Sequence, residues 1–173
     1  LAETAQAIEK LSGHAPHIVK ADVSTKEGQQ ALLKACPDPD ILVNNNGGPP
    51  PKNFRAIDRQ AMLEGVIQNM VTPIELVQAV IETMIARKFG RIVNITSASV
   101  KSPIPNLGMS NGARAGLTGF VAGLARQVAK HNVIINNILP GPFLTDRLRS
   151  GAMAAARQRN VPVDDIVSER VAN

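Results

Sequence analysis

The chain has 173 residues, 44% of them hydrophobic and 19% charged, which is the size and composition of one globular domain. Its apolar runs are shorter than the ~20 residues of a membrane-spanning helix. The lysines and arginines behind its net charge of +5 are scattered along the chain, and its only aromatic residues are four phenylalanines. Both observations argue against a nucleic-acid partner. The lone cysteine, Cys36, excludes an internal disulfide and fits the reducing cytoplasm, so we expect one cytoplasmic domain over residues 1–173, without a membrane segment or a metal site.

Helical and strand-like segments alternate along the chain. The opening LAETAQAIEKL has the apolar spacing of an amphipathic helix. Four short runs rich in β-branched residues then predict strands at 17–22, 40–45, 90–97 and 132–141, and helical spacing lies between them at 25–36, 57–88 and 106–131. One or two short helices follow residue 141. This order predicts an α/β fold, a doubly wound parallel sheet with helices on both faces.

Two of the long helical segments carry residues that are unusual in helices. Pro73 lies near the middle of segment 57–88, where its missing N–H predicts an interruption near Thr72. One face of segment 106–131 carries four glycines, Gly112, Gly116, Gly119 and Gly123. Because each glycine weakens a helix by up to ~1 kcal/mol, the stripe predicts close approach by the sheet, a cofactor or another helix.

Polar or glycine-bearing residues follow each of the four predicted strands. They are Asp22 with Ser24, the run 44–48, Thr96 with Ser97 and Ser99, and Pro140 with Gly141. In open parallel sheets, ligands bind beyond the carboxyl ends of the strands, so the four stretches together predict one binding site. Any one of them alone is explained by turn chemistry, since Asn, Gly, Asp and Ser are common turn residues.

Four short motifs resemble those of the short-chain dehydrogenase/reductase family, and especially its 3-oxoacyl-carrier-protein reductase-like members. The segment LVNNNGG is similar to the family's LVNNAG, and ADVS to its adenine-side DV element. GRIVNITS resembles the strand that leads to the catalytic serine, and NNILPGPFLTDR resembles the NxxxPGxxxT segment. The resemblance implies a Rossmann-like domain that transfers hydride between NAD or NADP and a small-molecule carbonyl or alcohol substrate.

The resemblance also implies a role for individual residues. Ser97 falls where the family's serine bonds the substrate oxygen, and Asn69 where a helix asparagine holds a water in the proton relay. A capping serine and an exposed helix asparagine are the alternatives. The positions that match cofactor-binding residues are Asp22 and Val23 beside the adenine, Asn44, Asn45, Asn46 and Gly47 along the ribose and pyrophosphate, and Pro140, Gly141 and Thr145 near the nicotinamide.

The family's catalytic tyrosine and lysine positions, thirteen and seventeen residues after Ser97, are occupied by Ser110 and Arg114, and the chain contains no tyrosine. A phenol with a pKa of ~10 can be shifted toward neutrality by an adjacent ammonium, whereas an aliphatic hydroxyl cannot. Arg114 keeps the positive charge and could bond the cofactor ribose. Lys101 is the remaining candidate for a proton donor. Two hypotheses follow: an oxidoreductase with an atypical catalytic site, or a relative without turnover that binds a dinucleotide or an acyl ligand or serves as an assembly subunit.

Two family elements do not occur in the sequence. The phosphate-binding TGxxxGxG turn is missing, and no strand pattern follows residue 141. The resemblance therefore predicts an incomplete domain that lacks the first βαβ phosphate-binding element and the last strand. The two long helices resemble those of the family's dimer contact, so we expect a homodimer or homotetramer.

Overall fold

A computed structural model describes residues 1–143 and 145–172 of the chain. The chain forms two compact units, Leu1–Ile138 and Leu139–Asn173. The expectation that residues 1–173 behave as one domain stays a prediction.

The first unit is an α/β structure built on a three-stranded parallel sheet. Its helices are α1 (Ala2–Ser12), α2 (Lys26–Ala35), α3 (Arg59–Val66), α4 (Thr72–Ala86) and α5 (Gly108–Val128), and its strands are β1 (Ile41–Asn44), β2 (Gly90–Ile95) and β3 (Val133–Ile138). The strands are ordered β1-β2-β3, with every pair parallel. The predicted parallel α/β fold is therefore confirmed.

The core lies between one face of the sheet and helices α4 and α5. Ile92 on β2 is fully buried and packs with Val77 of α4 and Leu117 of α5. The opposite face of the strands carries apolar side chains that are 43% to 61% exposed, namely Ile41, Val43, Ile134 and Ile138. Within the first unit, α4 and α5 thus cover one face of the sheet.

The predicted strand at 17–22 is wrong. Residues 15–22 have no regular secondary structure, and no backbone in the described part of the chain pairs with them in a sheet. A strand persists only when a neighbour takes up its N–H and C=O groups. Strand β1 at the edge of the sheet pairs with β2 alone, and the β-branched run does not add to its free side.

The predicted interruption near Thr72 takes the form of a π-helical turn, Ile67–Val71, between α3 and α4. In an α-helix, the carbonyl of Asn69 would accept from the N–H of residue 73, and Pro73 has none. A π-turn, whose carbonyls pair five residues ahead, accommodates that loss. The turn buries Asn69 to 3% exposure, which excludes the alternative of an exposed helix asparagine.

The glycine stripe of α5 is closely packed at one position. A Cβ atom on Gly116 would lie 2.8 Å from Sδ of Met70 in the π-helical turn. A Cβ atom added to any of the other three glycines would meet nothing within 4 Å in the described structure; these are Gly112, Gly119 and Gly123. Close approach is thus observed at Gly116, and the remaining stripe faces open space.

The second unit is a pair of helices, α6 (Asp146–Arg159) and α7 (Val163–Ala172). Ala152, Ala156 and Ile166 are at most 4% exposed and form its small core. Arg159 also donates to both carboxylate oxygens of Glu169, at 2.6 and 2.9 Å, and these hydrogen bonds lower the pKa of Glu169. The short helices predicted after residue 141 are confirmed.

The start of β2 tests how tightly the core is packed. A Cβ on Gly90 would lie 2.7 Å from Cβ of the fully buried Met84, so Gly90→Ala should lower the free energy of unfolding by about 1–3 kcal/mol. The matched control is Gly108→Ala, which adds the same methyl group in open space at the first residue of α5 and should not lower it. Urea unfolding measures both, and a Gly90→Ala protein as stable as the parent would contradict the packing.

Candidate functional site

A hydrogen-bond network joins the start of α5 to the π-helical turn and to the loop after β1. Ser110 Oγ donates to Asn69 Oδ1 at 2.9 Å, and Asn69 Nδ2 donates to the carbonyl oxygen of Gly47 at 2.7 Å. Arg114 Nε donates to Ser110 Oγ at 3.1 Å. We call Asn69, Ser110 and Arg114 the Ser110 network. Because a serine hydroxyl has one proton, Ser110 gives that proton to Asn69 and accepts from Arg114.

Arg114 ties the Ser110 network to the end of β2. Its Nη1 donates to the carbonyl oxygens of Ile95 at 2.8 Å and Thr96 at 2.9 Å. The planar fork of a guanidinium suits several acceptors at fixed angles, which an ammonium on the same helix would bind less directionally. A Cβ on Gly48 would lie 3.1 Å from Asn69 Oδ1 and 3.7 Å from Arg114 Nη2, so glycine lets the loop after β1 lie against the network.

Ser97 lies two residues after the end of β2 and is half-buried. Its Oγ accepts from the N–H of Ser99 at 3.1 Å and caps the 3-10 turn Ala98–Val100, as its capping alternative predicts. No residue in the described ranges accepts the hydroxyl proton of Ser97. The cap and a role as donor to a ligand are therefore compatible. Lys101, four residues further on, has an exposed side chain, which gives no support to a role as a buried acid.

Asp22 and Val23 form a turn that leads into α2. The Asp22 carboxylate accepts a hydrogen bond from the hydroxyl of Ser24 at 2.7 Å and one from the backbone N–H of Ser24 at 2.9 Å. Both bonds lower the pKa of Asp22, and the bond from the hydroxyl has the larger effect. Gln29 Nε2 donates to the carbonyl of Val23 at 3.1 Å. A Cβ on Gly28 would lie 1.9 Å from the Asp22 carbonyl oxygen, so the turn requires glycine there. These residues make no hydrogen bond to the Ser110 network.

The asparagines after β1 differ in where their side chains lie. Asn44 is 4% exposed and points into the protein, so what it offers a ligand is its backbone. Asn45 and Gly47 are exposed, and Asn46 is half-buried. Gly47 is also the acceptor for Asn69, so this loop is held directly by the Ser110 network.

Pro140, Gly141 and Thr145 belong to the second unit. Pro140 is half-buried, whereas Gly141 and Thr145 are exposed. Thr145 caps α6, since its Oγ1 accepts from the N–H of Leu148 at 3.3 Å. Thr145 is thus accounted for locally by its capping bond.

Three hydrogen-bonded asparagines, two buried and one half-buried, form what we call the asparagine ladder, a site feature that the motif comparison did not reveal. Asn44, Asn94 and Asn137 share one row of the sheet. Asn44 Nδ2 donates to Asn94 Oδ1 at 2.9 Å, and Asn94 Nδ2 donates to Asn137 Oδ1 at 3.1 Å. The signal in the sequence is an asparagine late in each of the three strand runs, where an apolar core residue is the usual choice.

Known proteins resemble this chain over most of its length. The family model described as short chain dehydrogenase matches residues 1–154. A 3-oxoacyl-(acyl-carrier-protein) reductase of Vibrio harveyi is 32% identical over 91% of this chain and 67% of its own length. A 2,3-dihydroxy-2,3-dihydro-p-cumate dehydrogenase of Pseudomonas putida is also 32% identical, over 69% of this chain and 48% of its own length.

Solved structures agree with the sequence relatives. L-sorbose reductase from Gluconobacter frateurii, complexed with NADPH and L-sorbose, matches 91% of this chain and 61% of its own chain with a TM-score of 0.83 and 26% identity. The chain thus spans roughly half to two thirds of the length of the proteins it matches. In the described ranges, no helix is both long and apolar enough to cross a membrane. The likeness to 3-oxoacyl-carrier-protein reductases is confirmed, and the chain belongs to the short-chain dehydrogenase family.

Proposed function

We propose that the protein is an NAD- or NADP-dependent oxidoreductase that transfers hydride between the nicotinamide and a carbonyl or alcohol group of a small-molecule substrate. The observation that carries the proposal is the distribution of hydroxyl protons. The Ser97 proton has no acceptor in the described part of the chain, whereas the Ser110 proton is donated to Asn69. Ser97 can therefore polarise a substrate oxygen, as a positioned donor does when negative charge develops there. We place the protein in the cytoplasm, where the exposed Cys36 stays a free thiol.

The loop after β1 leaves its backbone open at Gly47, which supports the binding of the dinucleotide that this proposal requires. Gly47 is exposed, and a Cβ atom there would meet nothing within 4 Å, so a ligand can lie along the backbone. When bound, the cofactor supplies or accepts the hydride. We assign the adenine to Asp22 and Val23, the ribose and pyrophosphate to Asn44, Asn45, Asn46 and Gly47, the nicotinamide ribose to Arg114, and the nicotinamide to Pro140, Gly141 and Thr145.

The Ser110 network positions groups in this proposal and does not provide the acid. Reduction of a carbonyl needs one proton on the oxygen besides the hydride on the carbon. An aliphatic hydroxyl that already donates to Asn69 is a poor source of that proton. Ser110 therefore holds Asn69 and Arg114 in place, and the proton comes from water or from a group on the substrate.

A relative without turnover is the second candidate function. Two observations favour it: the chain has no tyrosine, and Ser110 is both donor and acceptor within the protein. Such a relative would bind a dinucleotide or an acyl ligand, or act as an assembly subunit. Cofactor binding would then persist while the rate of hydride transfer stays at background.

Replacing Ser110 by alanine separates a positioning role from an acid role. Ser110→Ala removes the partner of both Asn69 Oδ1 and Arg114 Nε, so we expect the free energy of unfolding to fall by about 1–3 kcal/mol. We expect kcat for NAD(P)H oxidation over a carbonyl panel to stay within about twofold, whereas loss of a general acid lowers it by about 100-fold or more. The exposed Ser102→Ala is the control and should change neither quantity.

Restoring a tyrosine and a lysine separates the two candidate functions. The double variant Ser110→Tyr with Arg114→Lys supplies a phenol beside an ammonium, a pair suited to general acid catalysis worth about 100-fold or more. If the parent protein does not oxidise NAD(P)H and the double variant does, the protein is a relative without turnover. A parent that already turns over at the rate of the double variant identifies a working enzyme. Adding Ser97→Ala should abolish the activity in either case, and an unchanged rate would remove Ser97 from the proposal.

We also propose that the protein forms a homodimer or homotetramer through α3 and α5. On α3 and the turn after it, apolar side chains are 37% to 50% exposed, namely Met62, Leu63, Val66 and Ile67. On α5, Phe120 is 40% exposed, and three of the four glycines face open space. Exposed apolar helix faces with small residues between them allow a second helix to approach closely.

Sedimentation velocity tests the association. The parent should sediment as a dimer or tetramer, and Gly119→Glu should shift it to the monomer because a charged side chain would enter a close helix contact. The control Gln30→Glu adds the same charge on an exposed part of α2 and should leave the distribution unchanged. A monomeric parent would refute the proposal.

A further inference from the structure

Charge is distributed unevenly among the segments that surround Ser97. Residues 83–145 contain seven lysines and arginines and no aspartate or glutamate. This stretch supplies β2, α5, β3 and the segment that leads from Ser97 to α5. Residues 41–57, which supply β1 and most of the loop after it, also contain no acidic residue. These segments therefore carry positive charge, and a field of one sign raises the local concentration of ligands of the opposite sign.

Two lysines, Lys52 and Lys101, lie near Ser97 and outside the positions assigned to the cofactor. Lys101 follows the 3-10 turn that Ser97 caps. Lys52 belongs to the loop after β1, and its N–H donates to the carbonyl oxygen of Asn106 at 2.8 Å. Asn106 lies on the segment that leads from Ser97 to α5. The bond therefore holds the backbone of Lys52 beside the segment that begins at Ser97.

The ammonium group of Lys52 has no counter-charge in the described part of the chain. The residue is half-buried, and the ion pairs formed among the described residues do not include it. Asp58 is the first acidic residue after Lys52 in the sequence, and its carboxylate caps α3 by accepting from the N–H of Ala61 at 2.8 Å. A charge that is partly removed from water is stabilised when an opposite charge pairs with it. Lys52 is therefore suited to receive a negative charge from a ligand.

We propose that the carbonyl substrate carries an anionic group, a carboxylate or a phosphate, and that Lys52 binds this group while Ser97 bonds the carbonyl oxygen. The inference deepens the proposed function and rests on it, because it names the substrate class of the same site. An ammonium is a compact charge with three donors, so it suits either anion. Lys101 is exposed and adds to the attraction, whereas Lys52 determines which substrates bind.

Pairs of ketones that differ in charge test the inference by kinetics. We expect kcat/KM of the parent to be higher for levulinate than for methyl levulinate, or higher for dihydroxyacetone phosphate than for dihydroxyacetone. Lys52→Gln should lower kcat/KM for the preferred anion by about 10-fold or more, mainly through KM, because a hydrogen bond to a charged group is lost. The neutral member of the pair should stay within about twofold. The control Lys130→Gln removes the same charge at an exposed position beyond the far end of α5 and should change neither value.

Binding is measured separately, so that a failure of hydride transfer is distinguished from a failure of the anion site. NMR titration gives the Kd of the same ketones for the parent, Lys52→Gln and Lys130→Gln. If the parent binds an anionic ketone, Lys52→Gln does not, and the parent fails to oxidise NAD(P)H, the anion site stands and hydride transfer is refuted. Equal affinity for the charged and neutral members of both pairs, or no binding of either anion, would overturn the inference. So would a Lys52→Gln protein that binds the anion as tightly as the parent.

Discussion

Two successive backbone carbonyls at the end of β2 bind the guanidinium of Arg114, and the site is arranged around that contact. A planar group bonded in this way has little rotational freedom, so its Nε meets Ser110 from one direction. Ser110 then orients the amide of Asn69, and that amide bonds the carbonyl of Gly47. One arginine thus determines, through successive hydrogen bonds, how the loop after β1 lies against α5. Removing the arginine would take this donor away from the carbonyls of Ile95 and Thr96 and from the hydroxyl of Ser110.

The network also explains why a substituted tyrosine position need not be a damaged position. A buried polar network stabilises a fold when each member is satisfied, and each partner adds to the others. Ser110 is short enough to sit between Asn69 and Arg114 and bond both. The serine is therefore well fitted to a structural role, whatever the rate of hydride transfer.

Spacing along the chain was sufficient to predict features that a single helix or strand determines. Ser110 and Arg114, four residues apart, do lie on one face of α5 and bond each other. The three strands that form fall within predicted runs. The run 17–22 has equally strong strand composition, yet whether it forms a strand depends on a neighbouring backbone, which local pattern does not report.

Features that depend on how separate segments lie against each other could not be predicted from the sequence. Pro73 indicated an interrupted helix, but only the π-helical turn shows that the interruption buries Asn69. The asparagine ladder requires the register between strands, because Asn44, Asn94 and Asn137 meet only if the three runs align at that row.

Strand β1 has a consequence for the behaviour of the protein in solution. It is an outer strand of the sheet, so the N–H and C=O groups on the side away from β2 have no strand to pair with in the described part of the chain. Its side chains Ile41 and Val43 are 61% and 56% exposed. Such an edge is a template on which another extended backbone can add itself, and apolar side chains favour the addition. The described part of the chain shows neither a lysine nor a proline within β1 that would discourage it. In the described part of the chain, the free side of β1 is therefore where a further extended segment would add to the sheet.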